Sequence, residues 1–117
     1  MKKGITTHVL DLANGKPAQH IKVELYKWEQ TADGENRIFL SAGITNGDGR
    51  VEKPLLETIE TGEYELVYFI EDYLYAKEAD RKFLKKIPIR FFADQREAHY
   101  HIPLLLSPWG YQTYRGS

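Results

Sequence analysis

The stretch Ala98-His99-Tyr100-His101-Ile102-Pro103-Leu104-Leu105-Leu106-Ser107 decides how the fold is interpreted. Successive side chains of a β-strand point to opposite faces of the sheet. One face carries Tyr100, Ile102, Leu104 and Leu106, and the other carries His101, Pro103, Leu105 and Ser107. Both faces are therefore largely apolar. One is expected to cover the core of a sandwich, and the other needs a second cover, most simply another subunit.

The residues that follow this strand form an unusual chain end. Pro108-Trp109-Gly110 predicts a turn into a final strand at Tyr111 to Arg115, and the sequence ends in Gly116-Ser117 without a charged tail. Terminal residues are ordered only where they dock onto something. We therefore expect this end to be packed or to belong to a site.

The rest of the chain alternates short β-rich runs with turn residues. Turns are predicted at Asn14-Gly15, Asp33-Gly34 and Asn46-Gly47-Asp48-Gly49. A short helix capped by Asp72 is predicted from Asp72 to Lys82, which lacks Gly and Pro. Besides the two C-terminal strands, strands are predicted at Ile5 to Ala13, His20 to Trp28, Arg37 to Thr45, Val51-Glu52, Glu63 to Ile70 and Lys86 to Ala93. This spacing predicts an all-β sandwich of two antiparallel sheets with about eight strands and one short helix, as a single domain over residues 1–117.

The amino-acid composition argues against several classes of function. Hydrophobic residues make up 42% and charged residues 28% of the 117 residues, which is ordinary for a globular protein. The formal net charge of -1 and the lack of a basic cluster argue against nucleic-acid binding. The absence of cysteine excludes disulfides, thiolate metal sites and a cysteine nucleophile. No apolar run has the length of a membrane span or a signal peptide, so we expect no membrane association and a cytoplasmic location.

Two of the four histidines stand out. A histidine on a strand is usually a solvated or hydrogen-bonded surface residue, and His20 and His99 fit that description beside a turn and a charged loop. His8 and His101 lie instead on outward faces that are otherwise apolar. This pattern favours a polar site that is buried at a subunit interface.

The sequence gives less support to a zinc site or to a serine triad. His99 and His101 share one face and His8 is a third imidazole, which leaves a zinc site open, but no carboxylate lies at ligand spacing. Ser107 and Ser117 lack the surroundings of a hydrolase nucleophile, so a serine triad is not supported. Arg50 and Arg115 are candidate anion-binding groups, because a guanidinium matches planar carbonyl and carboxylate edges, although most arginines are simply exposed.

Three stretches together resemble the 5-hydroxyisourate hydrolases, the transthyretin-like enzymes of purine (urate) breakdown. They are Thr6-Thr7-His8-Val9-Leu10-Asp11 with Gly15-Lys16-Pro17-Ala18, the turn Asn46-Gly47-Asp48-Gly49-Arg50, and His101 to Pro108 running into Tyr114-Arg115-Gly116-Ser117. The resemblance extends from end to end, and the terminal tetrapeptide is its most specific part. Gln112 departs from the usual serine, which would affect substrate fit and not the chemistry.

The resemblance implies both an assembly and a set of site residues. The family assembles as a homotetramer, a dimer of dimers, with active sites where the dimers meet. By resemblance the catalytic residues are His8, Arg50, His101 and Ser117. Substrate binding falls to His8, Arg50, Tyr114, Arg115 and Gly116. No metal or cofactor is implied.

The activity that the resemblance implies is hydrolysis of 5-hydroxyisourate to 2-oxo-4-hydroxy-4-carboxy-5-ureidoimidazoline. Water, activated by histidine, attacks a ring carbonyl. Two other classes stay open at this point. A non-catalytic transthyretin-like carrier would hold an aromatic ligand in the channel between subunits, and a module for protein contacts would be indifferent to small molecules.

Overall fold

The structure is a computed structural model that describes residues 3–75, 77–80 and 82–116. Within these ranges the chain forms eight strands in two four-stranded sheets, with the orders β2-β1-β7-β8 and β4-β3-β5-β6. The strands are β1 Gly4–Asp11, β2 Lys16–Pro17, β3 Lys22–Thr31, β4 Gly34–Ile44, β5 Gly62–Phe69, β6 Lys86–Ala93, β7 His99–Ser107 and β8 Gly110–Thr113. The predicted all-β, two-sheet sandwich is confirmed.

Two features of the sheets differ from the prediction. Val51-Glu52 is not a strand, since Val51 forms only an isolated bridge with Thr45, whereas Lys16–Pro17 pairs with the end of β1. The first sheet is also not purely antiparallel, because β1 runs parallel to β7. Parallel neighbours need a long connection, and these two strands stand near opposite ends of the chain. No local turn signal reports such a pairing.

The helix predicted from Asp72 to Lys82 is much shorter in the structure. Helix α1 covers only Glu71–Leu74, and Ile70 rather than Asp72 occupies its N-cap position, with no side-chain cap. Tyr75 is extended and buried, and Glu78–Asp80 form a 3₁₀ turn. Side-chain packing of the tyrosines overrides the weak helical preference of so short a segment. Two residues of the predicted helix, Ala76 and Arg81, lie outside the described residues, and no helix in the described ranges is long and apolar enough to cross a membrane.

The alternation predicted for the strands places the core between the sheets. In β1, Ile5, Thr7 and Val9 are buried while Thr6 and the other alternate residues face outward. Buried Thr7 donates its hydroxyl proton to the carbonyl of Ile102, 2.6 Å away, and its oxygen lies 2.8 Å from the Tyr68 hydroxyl. The largest fully buried side chains are Tyr64, Tyr68, Ile5, Ile21, Leu25, Leu66, Ile70, Ile87, Leu104 and Leu106. The opposite faces of β1 and β7 are thereby presented together on the outside of the first sheet.

Candidate active site

The parallel register of β1 and β7 brings the polar side chains of the outer face together. Thr6 lies opposite His101, and His8 lies opposite Pro103. Since Thr6 and His8 share one side of β1, both lie against the imidazole of His101. His101 is only 8% exposed, and His8 is half-buried.

Four side chains on this face form a continuous line of hydrogen bonds. Nδ1 of His8 lies 2.9 Å from Nε2 of His101, and the two rings stack with centroids 5.0 Å apart and planes 13° apart. Nδ1 of His101 lies 2.8 Å from the Thr6 hydroxyl oxygen. That oxygen lies in turn 2.7 Å from Nε2 of His99. The order along the line is His8, His101, Thr6, His99.

The turn before Arg50 fixes that residue beside β1. The Asn46 side-chain oxygen accepts hydrogen bonds from the backbone N–H groups of Asp48 and Arg50, at 2.9 and 3.1 Å. The Gly49 carbonyl accepts a hydrogen bond from the N–H of Val9 at 2.8 Å, and the backbone of Arg50 forms an isolated antiparallel β-bridge with that of His8. Gly49 has a φ of +76°, and a Cβ there would lie 2.5 Å from the Val9 carbonyl oxygen. Glycine is therefore required for the turn to lie this close to β1.

Thr6, His101 and Arg50 line a cleft of about 520 Å³ on the surface of the chain. This volume lies in the usual range for a small-molecule site. The cleft contains the ionisable side chains of Lys3, Arg50, Glu52, Glu57 and His101. The exposed guanidinium of Arg50 and the imidazole of His101 thus face one space, which suits a small polar ligand that carries or develops negative charge.

The chain end docks directly against His101. The N–H of Gly116 donates to the His101 carbonyl at 2.6 Å, and the two residues form an isolated bridge. A Cβ at position 116 would lie 2.9 Å from Cδ2 of the His101 ring. The backbone of this end is therefore docked at Gly116, while the side chains of Tyr114 and Arg115 are exposed, and Ser117, a predicted catalytic residue, lies outside the described residues.

Tyr114 and Arg115 do not line the same cleft as Arg50. The Arg115 guanidinium donates to the His99 carbonyl at 3.0 Å, and its central carbon lies 4.3 Å from the centre of the Tyr100 ring. Tyr114 is 54% exposed. Both residues border a second pocket of about 550 Å³ that is also lined by His99. Of the predicted site residues, the single chain therefore brings together His8, Arg50, His101 and the backbone of Gly116.

Two members of the line were not predicted as site residues. The sequence predicts a surface residue at His99, and Thr6 enters the sequence argument only as part of the stretch Thr6 to Asp11 that carries the family resemblance. The alternation of the strands could have indicated both residues, because Thr6 lies on the same face of its strand as His8, and His99 lies on the same face as His101. Across the described ranges, no group of three or more His, Cys, Asp or Glu side chains is arranged to hold a metal ion.

Fold and site together define a transthyretin-like β-sandwich whose outer sheet face carries ionisable groups. A family model described as the HIUase/Transthyretin family matches residues 5–116, and the chain belongs to this family. The predicted resemblance is thus confirmed.

Similar proteins cover nearly the whole chain. A protein of Rhizobium meliloti named 5-hydroxyisourate hydrolase 2 is 48% identical over 97% of this chain and 95% of its own length. A 5-hydroxyisourate hydrolase of Deinococcus radiodurans is 42% identical over 97% of this chain and 96% of its own.

Solved structures agree on the fold. A 5-hydroxyisourate hydrolase of Klebsiella pneumoniae superimposes with a TM-score of 0.74 at 28% identity, covering 99% of this chain and all of that one. An (S)-allantoin synthase gives a TM-score of 0.82 at 36% identity, with 98% of this chain covering 44% of that longer one. Transthyretin of Sparus aurata gives 0.81 at 24% identity over 98% and 97% of the two chains, which supports the fold alone.

Proposed function

We propose that this protein hydrolyses 5-hydroxyisourate to 2-oxo-4-hydroxy-4-carboxy-5-ureidoimidazoline in purine breakdown. The observation that carries the proposal is the hydrogen-bonded pair of His8 and His101, with the ring nitrogens 2.9 Å apart, beside a cleft that also contains Arg50. The names of the relatives that match almost the whole chain support the choice of substrate.

The imidazole pair is suited to activating water. Water becomes a useful nucleophile when a positioned base takes its proton, and a group of this kind typically accelerates a reaction by about 10²–10⁴-fold. In the proposed reaction one histidine of the pair removes a proton from water while the oxygen attacks a ring carbonyl carbon. The C–N bond of that carbonyl then breaks, and the same proton is returned to the departing ring nitrogen. The products therefore differ from the substrate by one water molecule.

Arg50 supplies the charge that the reaction needs. Negative charge develops on the carbonyl oxygen as water adds, and an oriented cation or hydrogen-bond donor at that position lowers the barrier. The Arg50 guanidinium faces the same cleft as His101, which is hydrogen-bonded to His8. It can hold the planar substrate by two parallel hydrogen bonds and then stabilise the oxyanion.

We further propose that the working form is a homotetramer with the sites at the dimer–dimer interface. The outer face of the first sheet and the neighbouring chain end expose the large side chains of Leu12, Trp109, Tyr111 and Tyr114. Exposed apolar groups beside a polar cleft are typical of an interface. In this assembly Tyr114, Arg115 and Gly116 would form the substrate rim, and Ser117 would join the catalytic groups.

The test is a spectrophotometric assay with freshly generated 5-hydroxyisourate. We expect the ultraviolet absorbance of the substrate to decay at a rate proportional to protein concentration, above its spontaneous decay. His101→Asn and Arg50→Ala should each lower this rate by orders of magnitude while circular dichroism shows an intact fold. Decay at the spontaneous rate with the unaltered protein would reject the proposal. Tight binding of an aromatic ligand without turnover would instead support the carrier alternative.

A further inference from the structure

We propose that Thr6 and His99 extend the His8–His101 pair into a four-membered proton relay. In this relay the Thr6 hydroxyl positions the proton on the His101 ring, and His99 stores the proton taken from water. The inference rests on the proposed hydrolase function for its kinetic part. It assigns Thr6 and His99 a role outside the set of residues named above.

The geometry supports transfer along the whole line. The three junctions measure 2.9 Å from His8 to His101, 2.8 Å from His101 to Thr6 and 2.7 Å from Thr6 to His99. All three fall within the range of good hydrogen bonds. The two middle members of the line, Thr6 and His101, line the cleft that contains Arg50, and its last member, His99, lines the pocket that contains Glu97 and Arg115. It therefore links two separate openings on the surface.

Donor and acceptor rules allow the line to be satisfied in two directions. A neutral imidazole has one N–H and one bare nitrogen, and a hydroxyl can donate one proton while accepting another. In one direction His99 donates to Thr6, Thr6 donates to His101, and His101 donates to His8. In the other direction every donor and acceptor is exchanged, and the proton of His8 is on Nδ1 and not on Nε2. Only this second direction leaves His8 able to accept a proton from water.

Proton transfer along the line reverses the donor and acceptor roles of all four side chains, and every hydrogen bond of the line is kept. A proton from water binds Nε2 of His8, and His8 passes its Nδ1 proton to Nε2 of His101. His101 passes its Nδ1 proton to Thr6, and Thr6 passes its hydroxyl proton to Nε2 of His99. The positive charge then lies on His99. Reversing the four transfers delivers a proton to the departing ring nitrogen and restores the starting state.

The positive charge of Arg50 favours storage of the proton at the His99 end of the line. On the cleft side the relay faces Lys3, Arg50, Glu52 and Glu57, and on the far side it faces Glu97, Tyr114 and Arg115. Arg50 is needed as a cation during the attack, so a second positive charge on His8 would be repelled by it. Moving the charge to His99 takes it away from His8, which forms a bridge with Arg50, and into the pocket that holds both the Glu97 carboxylate and the Arg115 guanidinium, 4.0 Å apart.

The decisive variants separate the hydroxyl of Thr6 from the volume of its side chain. Thr6→Val removes the hydroxyl, Thr6→Ser keeps it, and Thr7→Val is the matched control, because Thr7 is the adjacent threonine and points into the core. We expect Thr6→Val and His99→Gln to lower kcat by about tenfold or more with little change in KM, as for a partly disabled proton-transfer group. Thr6→Ser should retain most of the activity, and Thr7→Val should lower stability with kcat maintained.

Two further measurements separate a relay from simple packing. In mixtures of light and heavy water the rate of the unaltered protein should depend on deuterium content along a curve, because several protons move together. In Thr6→Val the curvature should decrease, because fewer protons can move together. Nitrogen-15 NMR of the histidine rings should show that Thr6→Val changes the tautomers of His99 and His101, and that Thr7→Val does not.

The NMR measurement needs no turnover, so the relay and the hydrolase proposal can fail separately. Absence of hydroxyisourate turnover in the unaltered protein would overturn the hydrolase proposal, and the ring tautomers would still decide whether Thr6 controls His101. Unchanged tautomers in Thr6→Val would overturn the relay. Full activity of both Thr6→Val and His99→Gln, or equal damage by Thr6→Ser and Thr6→Val, would also overturn it.

Discussion

The Nδ1 atom of His8 lies 2.9 Å from the Nε2 atom of His101, although the two residues are 93 positions apart in the chain. The rings lie nearly parallel, and in the hydrogen bond between them one ring donates and the other accepts. The protonation state of either imidazole therefore depends on the other. The pair should react as one unit rather than as two independent bases.

Removing both imidazoles should accordingly cost little more than removing one. We expect His8→Asn and His101→Asn each to lower kcat/KM by about 10²–10⁴-fold, the usual contribution of a positioned base. In the double variant the losses should not multiply, because groups that act as a unit show strongly non-additive effects. Steady-state kinetics on all four proteins of this cycle measure the coupling. Multiplied losses would mean that the two histidines act independently.

Arg50 should matter for charge and for the shape of its side chain. Loss of one donor to a developing oxyanion costs about 10²–10³-fold in kcat in well-studied hydrolases, and we expect a loss of that order for Arg50→Ala. Arg50→Lys should recover only part of it, because an ammonium cannot make two parallel hydrogen bonds. Arg96→Ala is the matched control, since Arg96 is exposed and pairs with Asp94 in its own loop. Equal effects at positions 50 and 96 would argue against a role for Arg50 in the cleft.

A single methyl group added at position 116 should displace the imidazole ring of His101. The Cβ of Gly116→Ala would lie 2.9 Å from Cδ2 of His101, closer than non-bonded carbon atoms normally approach. We expect the ring of His101 to shift and kcat to fall by at least tenfold, because small displacements of catalytic groups have large effects. Gly110→Ala is the control, since nothing lies within 4 Å of a Cβ there. Kinetics with the His101 ring signals in NMR would show whether the ring has moved.

The sequence allowed the faces of the strands to be predicted but not the partners of the strands. Simple alternation placed Ile5 and Val9 inside and His8 outside, as the structure has them. The parallel pairing that sets Thr6 against His101 links residues 95 positions apart, and no local pattern encodes it. The hydrogen bonds of Thr6 and His99 depend on that register, so their part in the site was not apparent. The helix was overestimated for a related reason, because tertiary packing of tyrosines decides the conformation there.

One of those tyrosines should make stability depend on pH. The Tyr73 hydroxyl donates to the Asp11 carboxylate at 2.6 Å, and Asn14 donates two further hydrogen bonds at 2.8 and 2.9 Å. Burial acts to raise the pKa of Asp11, but the bonds from Tyr73 and Asn14 outweigh it and hold the pKa below its ordinary value of 3.8. Burial and the bond to Asp11 together raise the pKa of Tyr73 to about 12.

The sign for Asp11 follows from its lowered pKa. The folded state favours the carboxylate, so the stabilisation is complete above the ordinary pKa of 3.8 and is lost as pH falls through the folded-state pKa. At pH 7 we expect Tyr73→Phe to cost about 1.5 kcal/mol, the low end for a hydrogen bond to a charged group, because Tyr73 is half-buried. Urea denaturation should show this cost at pH 7 and a smaller cost below pH 3. Tyr26→Phe, which removes a bond to the more exposed Glu24, should cost less, and equal costs would contradict the argument.

Removal of residues 115–117 should damage activity while sparing the fold. The core is built from both sheets, and the last strand ends at Thr113, so the deletion removes no strand residue. It does remove the hydrogen bond from Gly116 to the His101 carbonyl and the contacts of Arg115 with His99 and Tyr100. Both losses fall on the strand that carries the proposed relay, so we expect kcat to fall by at least tenfold with little change in unfolding temperature. A tag appended after Ser117 should act in the same direction, whereas a tag before Met1 should not, and assays of the three proteins at equal concentration compare them. Full activity of the truncated protein would place the catalytic groups away from the chain end.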